Sequence, residues 1–183
     1  MTTRTDPHMA SMTYARIAGF TFLFYIVTGI SSLTLGKQAN ITDLLFLLEN
    51  LSALVLGVTL YMLTREQGPA LALLALACRI LEAVHGESEI FFAIGSTLFC
   101  WLLLRGRMIP AALAWLGVIA SVLLDVILPL QLAGILAGVN WSSSVTWMVW
   151  LPMLVFEVTF ALWLLVKGVT LPAAYNADSP RTG

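Results

Sequence analysis

The sequence predicts an all-α protein, a bundle of six transmembrane helices with both termini cytoplasmic. Three observations carry that prediction. Hydrophobic residues make up 60% of the chain and charged residues only 10%, against about half and about a quarter in a soluble domain. Six apolar segments, each long enough or nearly so to cross a bilayer, follow one another with short polar links between them. The basic residues then fall almost entirely on one side of the resulting zigzag. A soluble fold of this size has nowhere to hide that much apolar surface, so the lipid bilayer is its solvent and first partner.

The same composition excludes several classes. A length of 183 residues suits one domain. A net charge of −1 leaves no basic field for nucleic acid and no polybasic arm for lipid headgroups. Cys78 and Cys100 both lie inside apolar runs and read as small buried residues, not as a disulfide or a metal pair. There is no CxxC, GxGxxG, P-loop or HExxH, so no cofactor is implied and no catalytic residue is assigned.

Residues 1–12 are polar and form a tail, and the membrane domain covers 13–169. Segment one spans about 14–35. Arg16 and Tyr14 stand at its start, where a cation can snorkel and a ring can anchor. Its apolar run of about 19 residues is too long for a signal-peptide core, and no small-residue cleavage site follows, so the helix is retained. Segment two, about 43–64, can be capped by Thr42 or Asp43 and carries Glu49 inside it. Arg65-Glu66-Gln67-Gly68-Pro69 is a turn, with Gly-Pro ending one helix and starting the next.

Segments three and four, about 70–85 and 90–104, are near the lower limit for a span. They predict a tight hairpin whose outer end, His85–Glu89, thins or wets the bilayer. Segment three holds Arg79 and Glu82. Pro110 opens segment five, which is apolar over about 110–138 and interrupted by Pro129. A proline there frees the carbonyl of Asp125 and predicts a kink. Segment six, about 145–167, carries Glu157 at mid-depth and ends at Lys167-Gly168. Residues 170–183 form a disordered cytoplasmic tail.

Six spans put Arg4, Arg16, Arg65, Arg105, Arg107, Lys167 and Arg181 on one side and only Lys37 on the other. That asymmetry places the termini in the cytoplasm of a plasma (inner) membrane, whereas four spans would scatter the cations. Arg79 and Glu157 then fall near the midplane, and Glu49, Glu82 and Asp125 fall in the outward half. Residues 79, 82, 86 and 89 share one helix face by their 3-4-3 spacing. An isolated charge at membrane depth is costly, so an interior cluster is expected, with Arg79 paired to Glu82, Glu157 or Asp125 and the surplus acids protonated or facing water. Fixing helix packing is the plainer use of such a cluster. A metal site at His85 with Glu82, Glu87 and Glu89 lacks the second His or Cys such sites normally show, so no metal is assigned.

Four stretches carry a resemblance. ARIAGF at Ala15–Phe20, RILEA at Arg79–Ala83, IP-x6-G at Ile109–Gly117 and, most specifically, FEVTFALWLLVKGV at Phe156–Val169 resemble the bacterial membrane family named domain of unknown function 4386. The resemblance runs from about Tyr14 to Val169. It implies six membrane helices with polar positions at Arg16, Arg79, Glu82, Asp125 and Glu157, and it implies no activity.

The leading functional expectation is binding or transport of a small molecule, proton or ion through an outward-facing polar cavity. Arg79, Glu82, Glu157, Asp125 and Glu49 would line it, and a homodimer would complete the pathway in so small a chain. Two alternatives stay open: an intramembrane enzyme using Ser96, Thr97 or His85, and an accessory subunit without chemistry.

Overall fold

The computed structural model describes residues 7–35, 39–85, 89–139 and 142–170. Lys37, the turn residues Gly86–Ser88 with Glu87, the loop residues Asn140 and Trp141, and most of both expected tails lie outside the described residues. Six α-helices follow one another: α1 (Pro7–Leu35), α2 (Ala39–Thr64), α3 (Pro69–His85), α4 (Glu89–Arg105), α5 (Ala111–Leu132) and α6 (Ser143–Val166). A single 3-10 turn, Arg65–Gln67, links α2 to α3.

Short links make chain neighbours into packing neighbours. Each helix packs on the next, and α6 returns to α1, so the six close into a ring. The ring is apolar outside: Phe20, Leu47, Leu73, Ile119 and Met148 are all exposed. Polar groups point inward, with Thr28, Ser52, Thr64, Arg79, Ser121 and Glu157 buried. This inversion of the soluble pattern is what a lipid solvent selects. The interior hydroxyls of Ser52, Thr59, Thr64 and Ser121 each donate to the carbonyl four residues back, which satisfies them without a partner helix.

Among the described residues, four stretches are long and apolar enough to cross a membrane: Ser11–Ser32, Asn40–Gln67, Ala111–Leu132 and Ser144–Val166. The other two helices, α3 and α4, have 17 residues each, or about 25 Å at 1.5 Å per residue.

Three ends differ from the sequence reading. The second helix starts at Ala39, so Thr42 and Asp43, expected as its cap, lie within its first turns. The first helix starts at Pro7, inside the expected tail, where a proline suits a first turn. The fifth helix passes through Pro129 and stops at Leu132, not near residue 138. Gly134 is the reason. It adopts φ 71, its N–H bonds to the Gln131 carbonyl, and the Ile135 N–H bonds to the Leu130 carbonyl. That is a Schellman stop, which needs a residue tolerant of the left-handed region. Residues 133–138 continue as turns.

Glycines let the interior helices approach. A β-carbon on Gly117 of α5 would lie 2.6 Å from the Phe156 ring of α6 and 2.7 Å from Cys100 Sγ of α4. Both neighbours are buried, so neither can swing away. Replacing Gly117 by Val should therefore destabilise the purified protein by about 1–3 kcal/mol, the usual range for overpacking. Gly138→Ala, with nothing within 4 Å of the added carbon, should leave thermal unfolding unchanged. Equal melting of the two variants would show that the ring is looser than described.

Candidate functional site

Residues 79 and 82 lie one turn apart on the inner face of α3. Arg79 Nη1 donates to Glu82 Oε2 at 2.6 Å, and Arg79 is 1% exposed. The other carboxylate oxygen of Glu82 accepts from the Tyr25 hydroxyl of α1 at 3.1 Å. The guanidinium carbon is 5.0 Å from the ring centre of Phe92 on α4 and 5.7 Å from that of Tyr25. Those two rings are themselves nearly parallel, 6.5 Å apart. Arg79 thus spends its charge on one carboxylate and two ring faces. From the α2 side, Gly57 makes room: a β-carbon there would lie 2.9 Å from Arg79 Cβ.

Above this network lies a cavity of about 1330 Å³, open at the end of the ring away from Pro7 and Thr170. All six helices contribute to its wall. Glu49, Glu82, Glu89 and Glu157 line it, together with Asn50, His85, Gln131 and Thr146 and the rings of Tyr25, Phe46, Phe92, Trp147 and Trp150. Below the network the residues pack closely. A void of about 10 Å³ lies among Phe22, Phe99, Phe156 and Phe160, about the room one water needs.

Glu157 sits low in the wall, 6% exposed, and its Oε1 has no hydrogen-bond partner. An unpaired buried acceptor is costly, and a carboxylate more so. Arg79 Nε is likewise without a partner. Trp150, Met153, Leu154 and Glu157 run down one face of α6 toward the floor, all on the wall.

Of the five residues expected at a site, Glu49, Glu82 and Glu157 are on this wall, and Arg79 lies directly behind Glu82. Glu49 reaches toward α1, with its Oε1 3.2 Å from where a β-carbon on Gly29 would be. Asp125 lies apart, in the seam between α5 and α4. There it accepts from the Thr97 hydroxyl at 2.6 Å, and its Oδ1 is unpartnered. Sequence reasoning missed Tyr25, Phe92 and Trp150. A hydroxyl at mid-span made Tyr25 findable, but nothing in the sequence sets Phe92 apart from its neighbours. Trp150 packs on Phe92 with ring centres 5.9 Å apart.

Comparison with known proteins adds one finding. The family model described as Domain of unknown function (DUF4386) matches residues 85–168, the part of the chain that holds α4, α5 and α6. The chain resembles that family over this half, which includes Asp125 and Glu157 but not Arg79 or Glu82. No curated protein and no solved structure matches the chain.

The Tyr25 hydroxyl is the cross-helix member of the network. Tyr25→Phe keeps the ring and removes that one donor, so it should cost about 1.5–3 kcal/mol, as for a hydrogen bond to a charged group. Tyr25→Leu should cost more, because the ring face over Arg79 goes too. Denaturant unfolding of the two variants against the parent checks this. Equal losses would mean that the hydroxyl contributes nothing.

Proposed function

We propose that this is a six-span protein of the plasma (inner) membrane, with cytoplasmic termini, that binds a small molecule or ion in an outward-open cavity as the first step of moving it across. The observation that carries the reading is Glu157: a carboxylate with an unpartnered oxygen, buried yet on the wall of a cavity open at one end. An intramembrane ionisable group facing a cavity is a functional group by default. The one-sided cavity, closed beneath by packed phenylalanines, has the form of one state of an alternating pathway.

Charge supports the orientation. Arg16, Arg65, Arg105, Arg107 and Lys167 sit toward the closed end, whereas Asp43 and Glu89 sit at the cavity end. The short helices α3 and α4 need a locally thinned bilayer, a modest cost. The Arg79–Glu82 bond itself lies within one helix, and the packing role falls to Tyr25 and Phe92, which reach the pair from α1 and α4. An enzymatic reading finds less support. Ser96 borders only the 10 Å³ void, and the Thr97 hydroxyl is committed to Asp125.

Two measurements test this. Thermal unfolding of purified protein against a panel of metabolites and inorganic ions should show at least one stabilising ligand, through linkage of binding to folding. Glu157→Gln should fold and lose that shift, whereas a shift unaffected by Glu157→Gln would remove the site from this cavity. For orientation, an impermeant thiol reagent applied to intact cells should label Leu132→Cys but not Arg105→Cys until the cells are permeabilised. The native Cys78 and Cys100 are buried and should stay silent. Labelling of Arg105→Cys from outside would invert the topology.

A further inference from the structure

Resting on the reading of the cavity as a binding site, the geometry points to its ligand class: we propose a protonated organic amine with an apolar, ring-sized body. Four carboxylates face the cavity, and among the described lining residues only His85 is able to carry a positive charge. Arg79 is not available to an anion. It is fully buried, its Nη1 is held by Glu82 and its face by two rings. An anionic ligand would meet like charge with no free cation to answer it, so the wall selects for positive charge.

The wall also selects against a bare metal ion. Among the described residues no three His, Cys, Asp or Glu side chains converge closely enough to hold one. Aromatic and aliphatic side chains fill the gaps between the acids, and they give no ligand to a metal. They do suit the hydrocarbon part of an amine, and the tryptophan faces suit its charge. The α6 stripe arranges the two halves. Glu157 is two turns below Trp150, about 10 Å along the helix, with Met153 and Leu154 between them on the same wall. An ammonium N–H donated to Glu157 Oε1 would give that orphaned acceptor the partner it lacks. The rest of the molecule would lie against Met153, Leu154 and Trp150. At about 1330 Å³ the cavity has room for such a molecule with water around it.

The test is calorimetric titration of purified full-length protein with three probes of one shape: phenethylammonium, the neutral 2-phenylethanol and the anionic 3-phenylpropionate. Phenethylammonium should bind, and the other two should give no saturable heat. Glu157→Gln should weaken the amine by at least about tenfold, the scale of a charge-assisted hydrogen bond. Trp150→Leu should weaken it as well. Trp115→Leu, on the outer face of α5 at 50% exposure, should leave it unchanged. Gel filtration and melting of each variant separate lost binding from lost fold. If 3-phenylpropionate or 2-phenylethanol binds and depends on Glu157, the cavity is a site but the amine class is wrong. If phenethylammonium binds equally to the parent and to both cavity variants, the amine inference fails together with the site. If none of the three binds while another ligand gives a Glu157-dependent thermal shift, the amine inference falls alone.

Discussion

A guanidinium in the middle of an apolar ring has few places to put its charge, and the interior of this protein is arranged around that constraint. Arg79 cannot be neutralised by losing its proton, so everything near it must be either a carboxylate or an electron-rich face. Glu82 supplies the first from one turn along the same helix, Phe92 and Tyr25 supply the second from α4 and α1, and Tyr25 also holds the far oxygen of Glu82. Because the ion pair is local to α3, the long-range organisation falls to the two rings. They draw α1 and α4 toward the α3 face that carries the charge. Gly57 of α2 then lets the backbone come close behind the arginine. Four of the six helices are thus positioned relative to one side chain.

The cavity follows from the same constraint. Arg79 uses up Glu82, which leaves Glu49, Glu89 and Glu157 with His85 as the one basic side chain among the described residues of the wall. These acids line the open end of the ring. On the other side of Arg79 the residues are phenylalanine, leucine and methionine, and they pack to near closure. The polar network is the boundary between an open half and a close-packed half of the same ring. Asp125 lies outside this arrangement, held by Thr97 in the seam between α4 and α5.

How much of this was legible depended on the range of the interaction. The six helices were readable because apolar length and polar links are local signals. That residues 79 and 82 share a helix face was readable from their spacing, but whether Arg79 pairs with Glu82, Glu157 or Asp125 was not. Glu157 stood out as a lone acid in an apolar run. The end of α5 was not read, although Gly134 carried the signal, because the apolar run continues through Ile135 and Leu136 and masks the stop. Tyr25 meets Glu82 across 57 residues, and one sequence contains nothing that specifies such a pairing. Asp125 looked equivalent to the other acids for the same reason. Its depth was inferable, but whether it faced the cavity or a neighbouring helix was not.

The central claim is that Arg79 is tolerated at this depth because of Glu82. The direct measurement is the coupling free energy between them, from reversible unfolding of the parent, Arg79→Leu, Glu82→Leu and the double variant in one detergent. Each single change strands a charge, so each should be costly, while the double change removes both charges and should recover much of the loss. A coupling of at least about 2 kcal/mol is the expected result for a pair this close and this sheltered. Additive losses, with coupling near zero, would mean that the two residues do not answer each other, and the account built on them would be wrong.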